Sequence, residues 1–187
     1  NIDSHDKTNI RFSMPPIILP IDVFTTDKDV RHTNIYAYSY THLRKNLTLT
    51  IGASGDFFDS DRPGANDQNQ FNPKFGLTWS PLPATTLRIA AFRTLKRTLI
   101  TNQTLEPTQV AGFNQFFDDL NTTMAWRYGA AVDQKFSQNI FGGLEYTFRD
   151  LEVPFFTSTG AGDQTQREVE WTEKLYRLYL FWTPHKW

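Results

Sequence analysis

Apolar and polar residues alternate along much of this chain, most clearly between residues 71 and 94, FNPKFGLTWSPLPATTLRIAAFRT. In residues 74–80 one set is Phe75, Leu77 and Trp79 and the other is Lys74, Gly76, Thr78 and Ser80. In residues 85–91, Leu87, Ile89 and Ala91 oppose Thr86, Arg88 and Ala90. A period of two sends successive side chains to opposite faces of a strand. Each segment therefore reads as a strand with one oily face and one polar face, the pair joined by a proline-punctuated turn at 80–83.

The same pattern recurs. Residues 34–43 put Tyr36, Tyr38 and Tyr40 on one face, 44–46 turn, and 47–57 return with Leu47, Leu49, Ile51 and Ala53 opposed to Thr48, Thr50, Gly52 and Ser54. Residues 125–136 oppose Trp126, Tyr128, Ala130, Val132 and Phe136 to Arg127, Gly129, Ala131, Asp133 and Lys135. After a turn at 137–139, residues 140–150 oppose Ile140, Leu144, Tyr146 and Phe148 to Phe141, Gly143, Glu145, Thr147 and Arg149. A long aromatic strand is expected over 167–182 and a weaker one over 6–13. Residues 14–20, MPPIILP, carry prolines that cannot donate ladder hydrogen bonds, so they read as loop. Residues 22–32, 59–70, 95–107 and 152–166 read as loops as well.

Alternation alone fits a soluble sandwich or the wall of a membrane barrel. Two features favour the barrel. Several segments reach the ~9–11 residues a tilted membrane strand needs, against a soluble mode of about 5–6. Short turns also alternate with long connections, as periplasmic turns alternate with external loops. The expected fold is all-β: a partial antiparallel up-and-down transmembrane β-barrel of about 8–9 strands. Residues 108–117 break the turn parity; they are expected to lie above the membrane, or to form a hairpin with the start of the next strand, rather than to complete the wall.

In such a barrel Phe75, Leu77, Leu87, Ile89, Tyr128, Val132, Leu144 and Tyr146 face lipid. Lys74, Arg88, Arg127, Asp133, Lys135, Glu145 and Arg149, with Glu168, Glu170 and Lys174, face the lumen, because a lipid-facing Arg or Lys at mid-bilayer costs about 2–4 kcal/mol. Mixed signs predict pairing across neighbouring strands. Trp79, Trp126, Trp171, Trp182 and Trp187 fit an interfacial belt. Arg93, Lys96 and Arg97 cluster near the outer end of their strand, where lipopolysaccharide phosphates or anionic solutes are candidate partners.

Composition narrows the classes. The 187 residues predict one domain, read as a segment of a longer barrel chain. A net charge of −1 gives no nucleic-acid footprint. Mean hydropathy of −0.48 and the lack of any apolar run near ~20 residues exclude helical membrane spans but not a barrel. Aromatics make up 15%, a content that suits interfacial girdles. There is no cysteine, hence no thiol chemistry and no disulfide scaffold. The N-terminal residues NIDSHDKTNI do not read as a signal peptide.

No catalytic constellation or cofactor motif emerges. His5, His32, His42 and His185 lack metal-ligand spacing. The run Asp59-Ser60-Asp61-Arg62-Pro63-Gly64 resembles the start of a calcium loop, but Pro63 takes a ligand position and Gln70 stands where the closing glutamate belongs.

Asn72-Pro73-Lys74-Phe75-Gly76-Leu77-Thr78-Trp79, then Pro81, Thr86-Leu87-Arg88 and Phe92-Arg93, resembles the barrel hairpin of TonB-dependent outer-membrane receptors. Here Thr94-Leu95-Lys96 follows where that family usually has Ala-Pro. Barrels attached to periplasmic tetratricopeptide-repeat domains share such hairpins. The resemblance implies a bacterial outer-membrane location and passive or TonB-linked passage of a solute. The alternatives are a barrel anchor or export pore for a periplasmic domain of the same chain, and a soluble secreted carbohydrate-binding β-sandwich.

Overall fold

The computed structural model describes residues 2–9, 25–60, 68–96, 106–115, 119–120, 122–158 and 164–184, with side chains placed within 33–57, 69–96, 106–115, 119–120, 122–155 and 167–184. The proline-rich 14–20, the acid-rich 61–67, Arg97, His185 and Trp187 lie outside the described residues. The strands are β1 (Ile2–Asn9), β2 (Thr25–Arg44), β3 (Leu47–Ser60), β4 (Gln68–Leu82), β5 (Thr85–Leu95), β6 (Gln109–Val110), β7 (Phe113–Asn114), β8 (Met124–Lys135), β9 (Ile140–Ser158) and β10 (Gln164–Trp182). No helix occurs among the described residues.

Eight strands form one antiparallel sheet in the order β1-β2-β3-β4-β5-β8-β9-β10, and β6 pairs only with β7. Neighbours in sequence are neighbours in space, so the connection is up-and-down, and β1 and β10 are the sheet edges. Tight turns at 45–46, 83–84 and 136–139 share one end of the sheet. There Ser80 N donates to Asn46 O at 2.8 Å and Asn46 Nδ2 donates to Ser80 O at 3.0 Å, tying two of these turns together.

Several strands are longer than the alternation predicts. Residues 22–32 were expected as loop, yet β2 starts at Thr25 and pairs with β1 from Asn9↔Thr25 to Ile2↔His32. That register also moves the first strand from 6–13 to Ile2–Asn9. Likewise 152–166 is mostly strand, since β9 and β10 stay in register out to Ser158↔Gln164. At roughly 3.3 Å per residue, the 19 residues of β9 reach about 60 Å, about twice the ~30 Å hydrocarbon core of a bilayer. The start of β2, TTDKDVRH, is polar on nearly every position, so no apolar period marks that extension.

Register fixes the faces of the sheet. One face carries three continuous rows: Leu47, Trp79, Leu87, Val132, Leu144, Leu178; Leu49, Leu77, Ile89, Ala130, Tyr146, Tyr176; and Ile51, Phe75, Ala91, Tyr128, Phe148, Lys174. This face is bare: Leu178 is 83% exposed and Phe75 51%. The second layer that a sandwich requires is missing among the described residues. The opposite face is covered by the β6–β7 hairpin.

As expected, 108–117 does not complete the wall, but the hairpin corrects where this segment lies and what it pairs with. It is not a wall strand, and it neither stands above the sheet nor pairs with β8. It folds back onto mid-sheet. Ala111 and Gly112 have φ of 48° and 83°, the doubly left-handed geometry of a type I′ turn. Val110 and Phe113 are fully buried with Ala90 and Phe92, against Tyr38 and Ala131. Gly129 and Gly76 make this approach possible: a Cβ on Gly129 would overlap the Phe113 ring, and one on Gly76 would lie 2.8 Å from Ala111 Cβ.

Because the chain has no native cysteine, Val110→Cys is a clean reporter of this packing. Maleimide labelling of V110C is expected to be slow, and to accelerate by about tenfold or more in V110C/G129V as the hairpin is pushed into its open state. Equal rates in the two variants would show that the hairpin is not held by this seat.

Candidate functional site

The covered face carries a cluster of ionisable side chains. Three of its rows are Thr48, Thr78, Arg88, Ala131, Glu145, Arg177; Thr50, Gly76, Ala90, Gly129, Thr147, Leu175; and Gly52, Lys74, Phe92, Arg127, Arg149, Glu173. The alternation that exposes Phe75 and Leu77 therefore turns Lys74, Arg88, Arg127 and Arg149 inward under the hairpin.

Lys74 is buried and pairs with Glu106 at 3.1 Å. Tyr38 Oη donates to the same Glu106 Oε1 at 2.6 Å, and Gln115 Nε2 donates to Tyr38 Oη at 2.9 Å and to Pro107 O at 2.6 Å. Arg88 makes a fork to Asp133, Nε to Oδ2 at 2.6 Å and Nη2 to Oδ1 at 3.2 Å, and its Nη1 donates to Ala111 O at 3.3 Å. Glu145 lies between Arg88, at 3.6 Å, and Arg177, at 3.5 Å. Tyr179 Oη donates to Asp133. Arg127 donates to Asn114 O, and Arg149 pairs with Asp119 and, at 2.8 Å, with Glu173. The guanidinium of Arg88 sits 5.1 Å from the Phe113 ring centroid, and that of Arg127 sits 5.8 Å from the Phe92 centroid.

The Asn72-Pro73-Lys74 run has a local logic. Pro73 has no N–H for the ladder, and the β4–β5 register begins only at Lys74↔Phe92. Carbonyls beyond that point are taken by side chains: Lys74 Nζ donates to Arg93 O and Gln70 Nε2 to Thr94 O, both at 3.3 Å. Asn72 and Asn34 donate to the two oxygens of buried Asp56, at 2.6 and 2.8 Å.

Of the polar residues singled out from the sequence, Lys74, Arg88, Arg127, Asp133, Glu145 and Arg149 fall in this network. Lys135 shares their face but is exposed near the tight turns, opposite Phe141. Glu168, Glu170 and Lys174 do not share it: they pair with Pro154, Glu152 and Phe148 on the bare face. Phe75, Leu77, Leu87, Ile89, Tyr128, Val132, Leu144 and Tyr146 all lie on the bare face. Trp79, Trp126 and Trp182 share it too, whereas Trp171 stands opposite Leu151 on the covered face. Trp171 and Trp182 are an odd number of residues apart, so an unbulged strand cannot put both on one side. Arg93 is on the bare face beside Trp126.

The alternation did not single out Glu106, Gln115, Asp119, Glu173, Arg177 or Tyr179. Glu106 and Gln115 flank a short hairpin whose docking is non-local. In LYRLYLFW of β10 both faces are largely apolar, so only the register with β9 reveals which face Arg177 and Tyr179 take.

The fold is a partial antiparallel up-and-down barrel of the transmembrane kind. Its likeness is to the barrels of TonB-dependent outer-membrane receptors. The alcaligin outer-membrane receptor FauA from Bordetella pertussis matches with a TM-score of 0.58 and 13% identity, over 85% of this chain and 28% of that one. FpvAI, from its complex with pyocin S2, matches with a TM-score of 0.59 and 11% identity, over 87% and 22%. The chain thus spans roughly a quarter of each receptor's length. No protein-family model matches the chain, and no curated protein sequence matches it.

Lys74→Met removes a cation that buried Glu106 meets at 3.1 Å, and breaking a buried pair from one side costs about 3–5 kcal/mol. Urea unfolding in detergent micelles is expected to show a loss in that range for K74M and a smaller one for K74M/E106Q. A K74M loss within the ~0.5 kcal/mol of an ordinary surface change would mean the pair is solvated.

Proposed function

We propose that this chain forms part of the wall of a bacterial outer-membrane β-barrel with a receptor-like role in admitting a solute. The carrying observation is the bare face: continuous apolar rows crossing β3, β4, β5, β8, β9 and β10, in which Lys174 is the one charged member, while the rows between them on the other face hold Lys74, Arg88, Arg127, Glu145, Arg149, Glu173 and Arg177. In water such a face would be far larger than the few hundred Å² that soluble monomers tolerate. In lipid it is the ordinary exterior of a barrel, with Trp79, Trp126 and Trp182 at its margins.

The likeness to FauA and FpvAI supports a receptor-like barrel over a soluble sheet. On this reading the covered face lines the lumen, and the charged network under the hairpin is what a passing solute meets. The strand extensions beyond the apolar rows stand outside the bilayer, and outer-leaflet lipopolysaccharide is the neighbour of the bare face at that end.

Nitroxide labels test the orientation in vesicles. A label at Ile89→Cys is expected to be readily accessible to oxygen and shielded from a nickel chelate, with the reverse at Thr78→Cys one strand away on the other face. Leu144→Arg is expected to cost about 2–4 kcal/mol of folding stability in the bilayer. Equal nickel accessibility at both labelled positions would remove the reading.

A further inference from the structure

The hairpin segment treats the wall in a particular way. Lys74, Arg88, Arg127 and Arg149 sit on the successive strands β4, β5, β8 and β9, and each receives an acceptor oxygen from the stretch between β5 and β8. Glu106 meets Lys74 at 3.1 Å, Ala111 O meets Arg88 at 3.3 Å, Asn114 O meets Arg127, and Asp119 meets Arg149. Arg127 and Arg149 stand directly opposite each other across β8 and β9, a placement that repels unless something anionic is shared nearby.

The charge count within this network makes the point sharper. Its cations are Lys74, Arg88, Arg127, Arg149 and Arg177; its anions are Asp133, Glu145 and Glu173 from the wall, with Glu106 and Asp119 from the segment. Among the described side chains, the segment thus supplies two of the five carboxylates that meet these cations.

We infer that this wall is a binding site for a small solute with two or three clustered acidic groups, carboxylate or phosphate, and that the 106–115 hairpin with Asp119 occupies the site as an internal substitute until the solute displaces it. The inference rests on the covered face being the lumen. Clustered anionic oxygens match the chemistry because guanidinium groups take carboxylate or phosphate by paired charge-assisted hydrogen bonds. The hairpin is suited to leaving. Its strands pair only with each other, so displacement breaks no ladder of the wall, and its apolar anchor on the sheet is small: Val110 and Phe113, with Ala111 beside them.

The test uses the full chain in detergent micelles carrying V110C as the reporter, with citrate and inorganic pyrophosphate as separate probes. Either probe is expected to accelerate maleimide labelling roughly tenfold at saturation, and the arm that acts identifies carboxylate or phosphate recognition. Sodium chloride at matched ionic strength is expected to do little. R127Q and R149Q should abolish the acceleration. G129V, which opens the hairpin and keeps every wall charge, should bind the active probe more tightly by calorimetry.

Rates that do not respond to either probe, or that respond equally to chloride, would overturn the inference and leave the hairpin a fixed brace. So would a G129V variant that binds neither probe, even if the arginine variants failed to fold. The Ile89→Cys nitroxide measurement stands apart from these outcomes, so failure here leaves the barrel orientation to be judged independently.

Discussion

Parity kept in phase from strand to strand is the constraint on which the rest of this structure depends. A slip of one residue in any ladder would exchange the two faces of that strand completely. The ladders β5–β8, β8–β9 and β9–β10 run without a register shift. The irregularities between His42 and Arg44 and between Trp79 and Leu82 fall at the tight turns, below the charged rows. Leu144 and Glu145 are adjacent in sequence yet lie on opposite faces because this phase is kept across the sheet.

Keeping one side oily forces the ions to the other, and there they crowd. Unit charges about 5–6 Å apart at an effective dielectric of about 20 interact by on the order of 3 kcal/mol, and desolvation adds several more per ion. Arg127 facing Arg149 would be untenable alone. Glu173 and Asp119 on one flank, the Asn114 carbonyl on the other and the Phe92 ring beside Arg127 spread that charge. Gly129 and Gly76 belong to the same economy, since only bare backbone lets the hairpin reach these cations while still burying Phe113 and Val110.

The sequence made the wall legible where one face is apolar and the other carries ions. Phe75, Leu77 and Trp79 against Lys74, and Leu87 and Ile89 against Arg88, carry that contrast residue by residue. It is absent from TTDKDVRH at the start of β2, where both faces are polar. Those strands are held by backbone pairing with β1, which leaves no hydrophobic period to read. It fails differently in β10, where Leu175 and Tyr176 are neighbours of similar character and only the partner strand decides which one points in. The hairpin was legible as an anomaly, since 108–117 broke the alternation of turns, but its seat was not: Glu106 finding Lys74, and Phe113 finding Gly129, are contacts that no local pattern encodes.

Of the side chains that couple the hairpin to the wall, Lys74 is the one that also serves the β4–β5 ladder. Lys74 reaches Glu106 and, with the same ammonium, the Arg93 carbonyl that the ladder abandons at Pro73. A cation held at two points cannot lose one without shifting its hold on the other. When Glu106 leaves, Lys74 gives up a carboxylate or turns toward whatever anion has replaced it. The first change is costly for a side chain as buried as Lys74, and the second replaces the contact with one of the same kind. The end of the ladder and the seat of the hairpin thus act as one unit, and an anion arriving at Lys74 would restore the bond that the departing hairpin breaks.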